Sequence, residues 1–123
     1  MTLASLRDVH ESFAWFVVIG NGLAGLWALA AHFREPLRAR ALWWFTFVVE
    51  LSVFVQVSLG VAMVAGQDIE ATDFHMLYGF LTIVAVAVIY SYRHQLSDRR
   101  YALYGGGGIV IMGLGIRAMV LGR

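Results

Sequence analysis

The chain contains no cysteine and no lysine, has a single proline, and carries few charges of either sign. The absence of cysteine excludes disulfides, thiolate metal sites and thiol nucleophiles together. Without lysine, all nine basic residues are arginine, so every positive charge is in effect permanent. The lone Pro36 leaves the apolar segments free to form uninterrupted helices. Only 14% of the 123 residues are charged against 60% hydrophobic, and the mean hydropathy is +0.74. A soluble domain of this length needs far more polar surface, so the composition points to a membrane protein. A net charge of +1, with no basic stretch interleaved with aromatics in a polar setting, excludes nucleic-acid binding. Hydrolytic catalysis has no support either. There is no nucleophile elbow, no acid pair on one helix, and no sizeable extramembrane domain to hold a site.

Four apolar segments are present, at about residues 12–31, 41–65, 74–92 and 101–121. Each runs roughly 19–25 residues, enough to cross a hydrocarbon core of about 30 Å at about 1.5 Å per residue. Lipid offers the backbone no hydrogen-bond partners, so segments of this length must be helical. The first is too long for a cleavable signal peptide and lacks a small-residue cleavage site. The expected fold is an all-α integral membrane protein: one domain, 1–123, of four transmembrane helices in an up-down bundle. Its short connectors predict that consecutive helices are antiparallel neighbours.

Arginine distribution sets the expected orientation. The connectors 32–40 and 93–100 hold Arg34, Arg38, Arg40, Arg93, Arg99 and Arg100. The opposite side has only Arg7 and Arg123, with Asp8, Glu11, Asp68, Glu70 and Asp73. The positive-inside bias places both connectors in the cytoplasm and both termini outside. Trp43, Trp44, Tyr90, Tyr92, Tyr101 and Tyr104 form an aromatic belt near the inner boundary. The expected location is a multi-pass protein of a prokaryotic cell (plasma) membrane. The Gly105–Gly108 run lacks the Lys-Ser/Thr of a phosphate loop, and its expected role is close helix packing.

Polar residues recur along single helix faces. His10, Ala14, Asn21, Gly25, Ala28 and His32 share one face of the first helix. On the third, His75, Gly79, Thr82, Val86 and Arg93 share a face, with Tyr78 beside it. The second helix contributes Glu50 and the stripe Ser52, Gln56 and Gly60, and the fourth contributes Gly106, Gly113 and Arg117. Depth counting puts Asn21, Glu50, Ser52 and Thr82 roughly 14–17 Å from the inner end, and Gln56, Tyr78, Arg117 and His75 at roughly 22–27 Å. His10 counts as higher still. Two readings stand for Glu50: a protonated carboxyl bonded to Asn21 or Thr82, or a proton relay or quinone contact. Arg117 either snorkels to the interface or binds a carboxylate, such as Asp73 or a cofactor propionate.

A haem b held between helices needs inward-facing imidazoles, a small residue beside the macrocycle and a cation for its propionates. His75, Gly79 and Arg117 meet that description, with His10 as the second ligand and Tyr78 close by. In layout alone this constellation resembles four-helix membrane b-type cytochromes; no family motif runs through the chain. In such dihaem proteins the paired histidines of one helix lie closer together than these. His10 to His32, and His75 to His94, each span about 28–33 Å, so the layout implies one haem near the outer face, with His32 and His94 interfacial. A metal site combining His10 and His75 with Asp8, Glu11, Glu70 or Asp73 lacks a recognised ligand spacing.

These residues predict a small non-catalytic subunit of a larger membrane complex, one that handles electrons through a single haem b or a quinone contact. Its partners are lipid and either other membrane subunits or further copies of itself. The alternative is a small oligomeric transporter or channel that uses Glu50. A purely structural bundle is the third reading.

Overall fold

The computed structural model describes residues 3–66 and 70–122, with side chains from Leu6 onward. Asp68 and Arg123, counted above among the outer charges, lie outside the described residues. The described residues hold helices and no strand: α1 (Leu3–Phe33), α2 (Arg40–Val61), α3 (Asp73–Ser91) and α4 (Arg100–Leu121). Short 3-10 turns cover Glu35–Leu37 and Ser97–Arg99, and a π-helical turn, Ala62–Gly66, continues α2. All four helices are long and apolar enough to cross a membrane.

The helix boundaries follow local chemistry. α1 starts nine residues before the apolar run, because its polar first turns are also helical and carry the Arg7–Glu11 ion pair at 3.4 Å. It stops where Pro36, in the first positions of the Glu35–Leu37 turn, restricts the preceding backbone. α3 begins at Thr72, whose hydroxyl accepts the His75 backbone N–H at 3.2 Å. Asp73 adds a negative charge to that first turn.

Short connections make the helices run up and down, and the ends of different helices meet accordingly. The Thr72 hydroxyl at the start of α3 donates to the Leu121 carbonyl at the end of α4, 3.3 Å away. α1 and α4 make the most extensive contact, α2 packs on α1, and α3 packs on α4. By contrast α2 and α3 touch only sparsely, so the expectation that every consecutive pair packs as neighbours fails there. The physical reason is the glycine seam, which pulls α1 and α4 into the centre and leaves one side of the bundle open.

The four consecutive glycines divide by face. A Cβ on Gly105 would stand 2.9 Å from the Leu29 backbone nitrogen, and one on Gly108 2.7 Å from the Gly25 Cα. These two glycines let the α1 and α4 backbones touch, as small residues do at helix contacts in lipid. Gly107 faces the Ile89 side chain, and Gly106 faces open space. The expected inward face of α4 is therefore corrected. Gly106, Gly113 and Arg117 are exposed, and the buried stripe is Tyr101, Gly105, Gly108, Ile111, Gly115 and Ala118. The eye follows polarity along this helix, but backbone closeness decides which side packs. Between the helices, Val17, Val53, Val86, Ile89 and Ile111 form the central core. Ala28, Ala31, Leu42 and Tyr101, with Trp27 and Trp43 against them, close the arginine-rich end.

Candidate functional site

The third turn of α1 and the first turn of α3 place two histidines at one end of the bundle. The His10 and His75 rings meet edge to face, with centroids 6.3 Å apart and an interplanar angle of 76°. Depth counting had put His10 about a turn above His75. A separation of 6.3 Å accommodates an offset of one helical turn, about 5.4 Å, so the two rings meet at those counted heights.

The two imidazoles are held differently. His75 Nδ1 lies 2.6 Å from the Ala118 carbonyl of α4. A carbonyl only accepts, so Nδ1 carries the hydrogen, and a neutral ring then leaves the Nε2 lone pair free. This arrangement fixes both tautomer and orientation, as second-sphere partners do for ligating histidines. Gly122 makes room for the ring, since a Cβ there would stand 2.7 Å from His75 Nδ1. The His10 ring lies over Gly60 of α2, where a Cβ would be 3.2 Å from its Cε1. The Gln56 amide donates to the His10 backbone carbonyl at 2.7 Å. His10 Nδ1 and Gln56 Oε1 are both buried and have no hydrogen-bond partner among the described residues. Such unpaired buried polar atoms are uncommon and call for a reason.

Tyr78 is half-buried one turn along α3, and the Arg117 guanidinium stands 6.0 Å from its ring centroid. Arg117 is exposed and makes no ion pair with Asp73; Arg7–Glu11 is the one salt bridge among the described residues. A Cβ on Gly79 would meet nothing within 4 Å. Two surface concavities, of about 460 and 290 Å³, run along the outward face of α1 and include neither histidine. Among the described residues no three His, Asp or Glu side chains converge.

Nearer the middle of the bundle, Asn21 is buried and donates to the Val17 carbonyl at 2.8 Å and the Val49 carbonyl at 3.2 Å. Thr82 donates to the Gly79 carbonyl and Ser52 to the Val49 carbonyl. All three polar groups are thus satisfied by backbone. Glu50 makes no hydrogen bond to Asn21 or Thr82, whose donors go to helix carbonyls instead. Glu50 is half-buried, two turns above Trp43 on the same face of α2. It makes no hydrogen bond among the described residues. At the far end, the ring of His32 packs on Phe33 with centroids 4.9 Å apart, and His94 is exposed.

The structure thus brings His10, His75, Gln56 and Gly60 together, sets Tyr78 and Arg117 beside them, and leaves Glu50 apart from Asn21 and Thr82. Sequence reasoning missed the Thr72 cap, which its place before Asp73 and an apolar run signals. It also missed the Ala118 carbonyl, for which no sequence signal exists. Neither a family model, a curated protein nor a solved structure matches the chain.

Proposed function

We propose that the chain is a small integral membrane subunit of a larger electron-handling complex, non-catalytic by itself, that holds one haem b between His10 and His75. The observation that carries this reading is the juxtaposition of those two imidazoles across α1 and α3. The 6.3 Å separation of the ring centroids would let both imidazoles hold one haem iron. Two protein ligands are too few for a tetrahedral zinc site but complete the coordination of a haem iron. The Nδ1–H of His75, held by the Ala118 carbonyl, suits ligation through Nε2. Arg117 is the cation available to propionates. A bound haem b supplies one-electron transfer; the polypeptide supplies the ligands, the hydrogen bond that orients one of them, and an apolar surround.

In the same reading the four helices span a cell membrane, with the termini on the non-cytoplasmic side. Six arginines at the opposite end of the bundle support that orientation. Reduced-minus-oxidised absorbance of the purified protein tests the haem: a b-type signal is expected, and none with both histidines intact rejects it. Mild-detergent purification tests the subunit reading, which a monodisperse homo-oligomer without partner would contradict.

One observation favours the second reading, an oligomeric transporter or channel: Glu50 has no hydrogen-bond partner among the described residues. If reconstituted flux exists and Glu50→Gln leaves it and its pH dependence unchanged, that reading loses its support.

A further inference from the structure

The arginine-rich end holds a second arrangement that the histidine pair does not explain. The Arg38 guanidinium carbon stands 4.7 Å from the centroid of the Tyr101 ring. That of Arg100 stands 5.2 Å from the same centroid and 6.0 Å from the centroid of Trp43. Two permanent cations from different connectors thus converge on one aromatic ring. Glu35 and Asp98 belong to the same connectors, yet neither forms a salt bridge, and the one ion pair among the described residues is at the opposite end. Backbone contacts account for part of Arg38: its Nε donates to the Ala31 carbonyl at 2.8 Å and its Nη2 to the His32 carbonyl at 3.1 Å. These bonds cap the last turn of α1. Arg100 makes no hydrogen bond or ion pair among the described residues, so its charge is unanswered.

The surroundings add positive potential. Trp43, in the first turn of α2, packs against Tyr101 and Tyr104, in the first turns of α4, with centroids 5.3 and 5.2 Å apart. Neither N-terminus has a side-chain cap, and the positive ends of both helix dipoles lie at this end. Two cations gathered at one aromatic cluster favour a shared anion, and Trp43 and Tyr101 make its surroundings apolar on one side. At a boundary where apolar helices emerge, an anion attached to acyl chains suits both features.

We propose that Arg38 and Arg100, over Tyr101 and Trp43, bind the phosphate of an anionic phospholipid headgroup. The proposal is independent of the haem and rests on the membrane reading of the four helices. The acyl chains lie along the exposed apolar surface beside Trp44 and Phe47 of α2. Basic clusters of this kind at helix ends recognise anionic headgroups, and each arginine strengthens binding about fivefold.

The test uses the full chain with two probes, vesicles of phosphatidylcholine alone and vesicles containing phosphatidylglycerol, followed by native mass spectrometry of retained lipid. Carbonate-resistant association with pure phosphatidylcholine vesicles checks membrane insertion separately, and its failure defeats the membrane reading. Given insertion, phosphatidylglycerol should be retained in preference to phosphatidylcholine. Arg100→Gln should weaken that preference about fivefold, and Arg100→Lys should keep most of it. Arg38→Gln also removes the α1 cap and risks misfolding, so the exposed Arg100 carries the decision. Insertion without a phosphatidylglycerol preference, or an Arg100→Gln protein that retains lipid like the parent, overturns the proposal. So does displacement of the lipid by millimolar inorganic phosphate, which would mark a site for the free anion.

Discussion

Gly108 of α4 lies so close to Gly25 of α1 that a Cβ on Gly108 would stand 2.7 Å from the Gly25 Cα. That atom is backbone and cannot rotate away, so any side chain there forces the two helices apart. Gly108→Ala is expected to cost about 1–3 kcal/mol, the usual penalty of overpacking. Gly106→Ala, two residues earlier on the open face, should be neutral or stabilise by up to about 1 kcal/mol through helix propensity. Unfolding in a graded series of SDS in mixed micelles measures both. Equal effects at the two positions would show that backbone contact is not what the glycines provide.

That contrast also marks how much of the fold was legible in the sequence. Apolar run length gave the four helices and, within a few residues, most of their ends, because long apolar runs satisfy their backbone polar groups most simply within a helix. The start of α1 was set too late, since Arg7 to Glu11 are polar and precede the apolar run but are helical nonetheless. The glycine run announced a tight contact, but composition could not say that Gly105 and Gly108 do the packing while Gly106 faces outward. Rotation about a helix axis is fixed by the partner helix, and a single sequence does not contain the partner's position. The same limit applied to the polar layer. Asn21 and Thr82 are buried, and their donors go to backbone carbonyls rather than to Glu50.

Asn21 supplies the clearest polar test. Its amide donates to two carbonyls, those of Val17 and Val49, and the side chain is 1% exposed. Asn21→Ala should destabilise the protein by about 1 kcal/mol, the range found for hydrogen bonds between membrane helices. Asn21→Asp should be worse, because an ionised carboxylate has no donor and would face two carbonyl oxygens in an apolar core. The expected order of stability is Asn, then Ala, then Asp. An Asp variant as stable as the parent would mean that the amide nitrogen does not point at Val49.

Glu50 should behave differently in the same assay. No hydrogen bond among the described residues engages its carboxyl, so Glu50→Gln keeps shape and removes charge without breaking a contact. Its stability is expected to match or exceed that of the parent, since an ionisable group between apolar helices is costly. A marked loss would reveal a partner for Glu50 that the fold of the isolated chain does not supply, and would favour an assembly that completes this site.

The histidine pair predicts an asymmetry. His75 is oriented by the Ala118 carbonyl at 2.6 Å, whereas the His10 ring has a buried nitrogen with no partner. A ligand held in place beforehand loses less freedom on binding than one that must be ordered. On the proposed function, His75→Ala should therefore abolish haem retention through purification. His10→Ala should retain a weaker complex in which the iron has lost one axial imidazole and changes from a low-spin to a high-spin spectrum. Absorbance of the two purified variants at equal protein concentration decides the matter. Circular dichroism of each variant controls for folding, because neither ring belongs to the central core around Val53 and Ile111. If both variants retain haem with an unchanged spectrum, neither histidine is a ligand; if both lose it equally, the Ala118 hydrogen bond does not confer the advantage assigned to it.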